Sequence, residues 1–399
     1  MQAAPTNVDP RRFLGAVFLM ATGAIGPGFI TQTTVFTVQL GAAFAFAIVV
    51  STLIDIAVQL NVWRVIGVSG LRAQTLGNRV APGLGGCLAG LIFIGGAVFN
   101  IGNIAGAGLG MSALFGLGRK VGGLLSAGLA VGVFAAPRAG AALDRAVVAL
   151  GVLMIGLMGY VAWVSSPPVG EAVANSVWPT QIDWLVITTL VGGTVGGYIT
   201  YAGAHRLLDS GTTGPAAVDS ITRYSVLGIV ITAVMRCLLF LAVLGVVAGG
   251  VQLTGTNLAA QAFGAAAGDI GRRLFGLVLW AAGITSVIGA AFTSISFVTV
   301  ATTSAAWRQR LTIVFIAACA VIYALIGQPP QVILIFAGAF NGLILPLGVG
   351  VLLWVAWRRR DLLGGYHYPR WLLVVGGLAW LVTLFLGLSA LTGLERLAG

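Results

Sequence analysis

Residues 20–36 read MATGAIGPGFITQTTVF. An apolar run enters this stretch, meets Gly26, Pro27 and Gly28 in its middle, and turns polar at Thr31, Gln32, Thr33 and Thr34. Proline inside a helix removes a backbone donor and crowds the preceding turn. If the run crosses a bilayer, the helix is broken where water is absent. Broken backbone at that depth is tolerated only where it lines a cavity or is buried in protein. The stretch therefore predicts a discontinuous helix next to a binding site, provided that the rest of the chain is a membrane domain.

Composition meets that condition. Of 399 residues, 58% are hydrophobic and 8% charged, with a mean hydropathy of +1.03. A soluble domain cannot hide that much apolar surface, so the solvent of this chain is lipid. About 20 apolar residues span a bilayer. Eleven runs qualify: 13–40, 42–63, 86–116, 121–137, 145–164, 184–207, 224–250, 273–304, 311–327, 331–357 and 371–393. The expected organisation is a short tail (1–12), a first set of five helices (13–165), an outer loop (166–183), a second set of five (184–357) and an eleventh helix with the C-terminus (358–399).

The net charge of +11 would point to nucleic acid in a soluble protein. Here its placement gives topology instead. With the N-terminus inside, the inner segments carry Arg11, Arg12, Arg64, Arg72, Arg79, Arg138, Arg145, Arg206, Arg223, Arg308, Arg310, Arg358, Arg359, Arg360 and Arg370. The outer ones carry Arg119, Lys120, Arg272, Arg273 and Arg396. The positive-inside rule thus predicts a cytoplasmic N-terminus and, after eleven spans, an extracytoplasmic C-terminus. The partners expected are lipid and a small solute or ion, not nucleic acid. Arg11–Arg12 before an apolar run resembles a signal peptide, but no cleavage pattern follows it and the run reads as an uncleaved first helix. Cys87, Cys237 and Cys319 sit in separate runs and read as packing residues.

A second interruption matches the first. In WLVITTLVGGTVGGYITYAGAH (184–205), Gly192, Gly193, Gly196, Gly197 and Gly203 crowd one span among Thr194, Tyr198, Thr200 and Tyr201. The two breaks fall in the first and sixth runs. Interrupted spans at corresponding positions of two halves point to an inverted-repeat transporter. Small residues also serve close helix packing, which is the preferred reading for Gly106, Gly108 and Gly110 in the third run.

The residues at these breaks carry a resemblance. FLGAVFLMATGAIGPGF (13–29) is similar to the first helix of the Nramp family of metal transporters, and the likeness runs on to Gly70 through Gln59 and Arg64. The third run, ending in ALFGL (113–117), and LVGGTVGGYITYAG in the sixth resemble the family again. The resemblance implies an all-α integral membrane protein of LeuT type. It would have ten helices in a 5+5 inverted repeat plus one extra, with helices 1 and 6 discontinuous. It also implies the bacterial inner membrane. The departures are as informative. Gly26 stands where the family has a metal-binding Asp, and Phe29 where it has Asn. Gly196 replaces its Met, Gly197 and Tyr198 its Pro-His, and Asn100 and Asn103 two acids of helix 3.

Each exchange removes a charge or a donor atom. Divalent ions want carboxylate oxygen or, when softer, sulfur, and a desolvated cation without counter-charge is prohibitive. The expected site is therefore roomy and neutral. Gly26, Pro27, Gly28, Phe29, Thr31, Gln32 and Thr33 would form one wall, and Gly196, Gly197, Tyr198 and Thr200 another. Half-helix starts near Ile30 and Ile199 would favour a carboxylate, with Thr31–Thr34 as caps or ligands. Asn100 and Asn103, i and i+3, would either bind solute or bridge helices. The site chemistry predicts a small polar organic solute, a carboxylate among the candidates; 5-oxoproline as the example is what the resemblance to this branch of the family implies. The alternative is a divalent metal ion, as in the parent family.

Coupling has fewer clues. Asp55 and Arg236 are the charges placed well inside spans. An intramembrane ionisable group is a functional candidate. Asp55 reads either as a proton carrier, as the partner of Arg236, or as a group reaching the inner surface. In the eighth run Thr285, Ser286, Thr293, Ser294 and Ser296 form a polar stripe. By the resemblance, Thr293 and Ser294 would help a sodium site. Asn341, within GAFNG, would join the gate between the halves, and His205 would sit at the inner interface. No cofactor is expected beyond a coupling H⁺ or Na⁺. No charged ring or carbonyl filter supports a channel, and with two histidines, His205 and His367, no catalytic cluster supports an enzyme.

Overall fold

The computed structural model describes residues 25–135, 137–299 and 303–398. They are built of helices, with no strand among them. In chain order these are α1 (Pro27–Leu40), α2 (Phe44–Ser69), α3 (Ala73–Val80), α4 (Leu84–Phe115), α5 (Arg119–Ala135), α6 (Pro137–Ser165) and α7 (Val169–Val177). The second half comprises α8 (Trp184–Thr194), α9 (Ile199–Asp209), α10 (Val218–Ala248), α11 (Leu258–Val298), α12 (Ala305–Leu325), α13 (Pro330–Arg358) and α14 (Arg370–Ala398).

Each of the eleven apolar runs falls on a helix, and the sixth falls on the pair α8 and α9. The part of the first run before residue 25 lies outside the described residues. Fewer helices pass a test of length and apolarity taken one at a time. Eight of the described stretches do, or nine with a bent pair. The lower number has two physical sources. α1 and α2 are joined by one turn of 3-10 helix and run on as a single apolar stretch, Pro27–Ser69. α5, at 17 residues, is shorter than a full span.

The chain punctuates these helices with ordinary devices. Asp183 caps α8, its Oδ1 accepting from the backbone N–H of Leu185 (2.9 Å) and Val186 (3.2 Å). The Asn257 and Ser304 side chains cap α11 and α12 in the same way. At the outer end expected from the charge pattern, Ala149–Ser165 and α7 meet at 106°. Trp163 and Trp178 stand exposed there (85% and 83%), with Trp184 beside them. Four more passes along the chain lie between α8–α9 and the end of α13, so the next tryptophan group belongs to the opposite face. It consists of Trp354, Trp357 and Trp371, with the Arg358 guanidinium 4.2 Å over the Trp357 ring.

The centre of the bundle holds the start of α1 and the junction between α8 and α9. α4 and α11 pack along one another more extensively than any other pair and form a scaffold. α1 is enclosed by α4, α8, α10, α11 and α13, and α8 packs along α13. Both breaks are thus held inside protein, which is the condition for irregular backbone at membrane depth.

Candidate functional site

At the expected first break the described residues show a helix start, an extended residue followed by a proline; the half-helix expected before it lies outside the described residues. Gly26 (φ −85°, ψ −179°) precedes Pro27, which opens α1. The Ile30 N–H already donates to the Gly26 carbonyl (3.3 Å). The helix therefore starts at Pro27, three residues before the expected start near Ile30. Proline is suited to this position because its missing N–H has no partner there in any helix. The amides of Gly28 and Phe29 are left at the start with no carbonyl in their own helix.

The threonines do less than expected at this end. No side chain caps α1. The Thr33 hydroxyl donates to the Phe29 carbonyl (2.8 Å) and the Thr34 hydroxyl to that of Ile30 (2.9 Å). These bonds satisfy the helix itself, as threonine readily does in a span. Thr31 instead lines a small gap with Asn257 and Gln331. Gln32 reaches across the bundle: its Nε2 donates to the Leu334 carbonyl of α13 (3.0 Å). Its buried Oε1 finds no hydrogen bond among the described residues. A Cβ on Gly193 would lie 2.5 Å from that oxygen. One amide therefore touches α8 and α13 at once.

The second break is tighter. α8 ends at Thr194, and Gly197 takes a positive φ of 51° before α9 begins at Ile199. The Val195 and Gly196 amides both donate to the Val191 carbonyl (2.9 and 3.1 Å). Its glycines are closely covered. A Cβ on Gly196 would lie 2.5 Å from the Gly192 carbonyl oxygen and 2.9 Å from that of Asn341. A Cβ on Gly197 would run into the Asn341 amide, and one on Gly192 into the backbone of Gly338 and Gly342. At Gly26 a Cβ would meet the Ser286 hydroxyl at 2.8 Å and Asn103 Oδ1 at 3.6 Å. The expectation that these glycines leave a roomy site is thus corrected. Their missing side chains are replaced by neighbours rather than by empty space.

Several polar groups converge on the breaks. Asn103 and Ser286 face Gly26. Asn103 Nδ2 and Ser286 Oγ are buried with no hydrogen-bond partner among the described residues. Asn100, one turn away, is turned toward the Cys319 thiol of α12. Asn341 donates to the Gly95 (3.1 Å) and Ala337 (2.8 Å) carbonyls, linking α13 to α4 beside the second break. Tyr198 stands edge-on to Phe99 (5.5 Å between centroids), and Phe99 in turn approaches Gly28. The Thr200 carbonyl accepts from the Trp63 indole (2.9 Å). Ser294 lies against Gly96 of α4, and Thr293 lines a cavity at the other end of α11. The α11 hydroxyl that meets the first break is therefore Ser286.

Asp55 and Arg236 are both buried, at 2% and 3% exposure. Asp55 is thus not a surface group. It faces Arg236 as its counter-charge, although the two do not touch as a direct ion pair. Arg236 Nη2 donates to Thr194 Oγ1 (3.1 Å), the last residue of α8. Its guanidinium carbon stands 4.6 Å over the Phe29 ring, in the first turn of α1. A cation over an aromatic face is held electrostatically. The charge pair therefore touches both breaks. Sequence reasoning placed Asp55 and Arg236 inside the membrane but missed this link. A helix-to-helix register that brings Phe29, Thr194 and Arg236 together leaves no trace in any one run. His205, expected at the inner interface, is buried and stacks on Phe297 (4.7 Å).

Among the described residues no group of three His, Cys, Asp or Glu side chains converges as a metal site would require. What the breaks offer is helix-start amides, side-chain amides, hydroxyls and one neutralised charge pair. That set can hydrogen-bond a polar solute and accommodate an anionic group.

Comparison with known proteins places this arrangement. An uncharacterized membrane protein of Bacillus subtilis, YcsG, is 49% identical over 379 residues, covering 95% of this chain and 93% of its own length. A structure of a variant of the manganese transporter of Eremococcus coleocola superposes with a TM-score of 0.72 at 18% identity, over 99% of this chain and 90% of that one. MhsT in complex with L-phenylalanine gives 0.66 at 16% identity, over 94% and 98%. Both likenesses show the same LeuT-type fold. Residues 17–392 match the natural resistance-associated macrophage protein-like family. With nearly the whole chain matched, this protein is a member of the Nramp family of membrane transporters.

Proposed function

We propose that the protein is a secondary active transporter of a small polar organic solute bearing a carboxylate, with 5-oxoproline as the first example to test. The observation that carries this reading is the charge at the breaks. Gly26, Pro27, Gly28 and Phe29 on one side, and Gly196, Gly197 and Tyr198 on the other, supply neither carboxylate nor thioether. The cation that touches the first break, Arg236 over Phe29, is already balanced by Asp55, so no free negative charge stands there to replace a metal ion's hydration. A divalent ion would need its hydration replaced by anionic oxygen or sulfur. A carboxylate would find helix-start amides, the amide of Asn103 and the hydroxyl of Ser286. The fold is compatible with such a solute, because MhsT holds an amino acid.

Under this reading the coupling ion is H⁺ at Asp55, or Na⁺ near Thr293, Ser294 and Asn341. The positive-inside distribution orients the N-terminus to the cytoplasm, and we place the protein in the bacterial inner membrane. A second reading, divalent-metal transport, is favoured by the likeness to a manganese transporter. It would rely on the carbonyls and amides of the breaks, with Gln32, Asn100 and Asn103.

Ligand-dependent thermal unfolding of the purified protein separates the two. A ligand that binds the folded state alone stabilises it by about 2.7 kcal/mol at a hundredfold excess over its Kd. The expected result is stabilisation by 5-oxoproline and none by Mn²⁺ or Mg²⁺. Saturable stabilisation by a metal, with none from the acid, would reverse the assignment.

A further inference from the structure

A cavity of about 220 Å³ lies away from the breaks, between α9, α11 and α12. Its lining includes Arg72, Ala202, His205, Asp209, Ser296, Arg308 and Thr312. Six of these carry the argument. Arg72 and Asp209 are near-partners (3.6 Å), and Arg72 Nη1 also donates to the Ser296 carbonyl (3.2 Å). That pair is accounted for. Arg308 is not. Its Nη2 donates to the Thr303 carbonyl (3.0 Å), but its Nε is buried without a partner among the described residues. His205 is 4% exposed, and neither ring nitrogen has a partner there. Ser296 and Thr312 donate their hydroxyl protons to the Thr293 and Arg308 carbonyls, so their oxygens stay open to accept.

Buried donors left unpaired cost free energy, so such groups normally meet water or a ligand. Here two of them, on α9 and α12, line one chamber. With Arg72 and Asp209 cancelling, the chamber carries the net positive charge of Arg308. The Phe297 ring braces the imidazole from behind. The chamber is far larger than a single water needs and suits one small organic acid. We propose that this cavity is a second binding station for a small carboxylate. Arg308 and His205 would be its donors, on the cytoplasmic side of the transport path. The carboxylate binding rests on the cavity alone. Its place in a transport path rests on the function proposed above.

The test uses the full chain with Ala202→Cys, whose position lines the cavity. It measures modification by an anionic (sulfonatoethyl) and a cationic (trimethylammonioethyl) methanethiosulfonate, read by mass spectrometry of the peptide containing residue 202. A cleft of one sign raises the local concentration of counter-ions about tenfold or more. With each rate divided by that reagent's rate toward free 2-mercaptoethanol, the anionic reagent should therefore be favoured about tenfold over the cationic one. Acetate and 5-oxoproline should slow it, and 2-pyrrolidone, which lacks the carboxylate, should not. Adding Arg308→Gln should remove the preference, while Arg308→Lys keeps it.

No anionic preference in the normalised rates, no reaction with either reagent, or protection by inorganic phosphate alone would each overturn the proposal. The proposed function is read separately, as 5-oxoproline uptake into proteoliposomes. Protection without uptake would leave the station standing and remove the transport reading. Uptake without protection would do the opposite.

Discussion

The two broken helices differ in what fills the gap. At Gly26 the neighbours are the ends of side chains, the hydroxyl of Ser286 and the amide of Asn103, with polar atoms still unpaired. At Gly192, Gly196 and Gly197 the neighbours are backbone atoms and Asn341, whose Nδ2 is bonded twice while its Oδ1, against Gly197, has no partner among the described residues. Side-chain ends can turn to meet a solute. Backbone packed on backbone cannot yield without moving a helix. The first break thus presents chemistry, and the second is a joint that fixes α8 against α13.

The link between the breaks is the most sensitive point. Arg236→Gln removes the cation that touches both and leaves Asp55 buried and uncompensated. Breaking a buried pair by one partner costs about 3–5 kcal/mol. The same change combined with Asp55→Asn should recover most of that loss in thermal or denaturant unfolding. If the double variant were as unstable as the single one, the two charges would not be coupled.

The joint comes next. Gly197→Ala places a Cβ on the Asn341 amide and forces alanine into a positive φ. Overpacking and backbone strain each cost about 1–3 kcal/mol. Destabilisation of that order, with transport lost, is expected. A fully stable and active Gly197→Ala would remove the distinction between the two breaks.

The smallest effect is expected at the first break. In Gly26→Ala the added methyl meets a hydroxyl that can rotate away, so stability should fall by about 1 kcal/mol or less. Solute affinity should fall more visibly, and Ser286→Ala in the same chain should restore the space. An unchanged dissociation constant in Gly26→Ala would move the site away from this break.

The sequence made the scaffold legible because spans are written in local signals. Apolar length gave the helices, Gly26–Pro27–Gly28 and Gly196–Gly197 gave the breaks, and the arginines gave an orientation. The interior was less legible. A glycine reads the same whether it opens a void or admits a carbonyl, so Gly196 suggested space where the structure has contact. Thr33 and Thr34 looked like ligands, yet their hydroxyls serve the turn before them. The placement of Arg236 over Phe29, more than 200 residues apart, depends on how α1 and α10 cross, which neither run encodes.

The exposed indoles at the two ends of the bundle constrain how such a molecule can move. Trp163 and Trp178 mark one water–lipid boundary, and Trp354, Trp357 and Trp371 the other. Indoles favour that boundary layer and resist leaving it. A piston stroke of α6 or α13 along the membrane normal would drag several of them into water or into the hydrocarbon. Tilting about the mid-plane leaves each at its depth. The tryptophans act as floats at the two surfaces, so alternating exposure of the interior is cheapest as a rocking of helices about their centres, where both breaks lie.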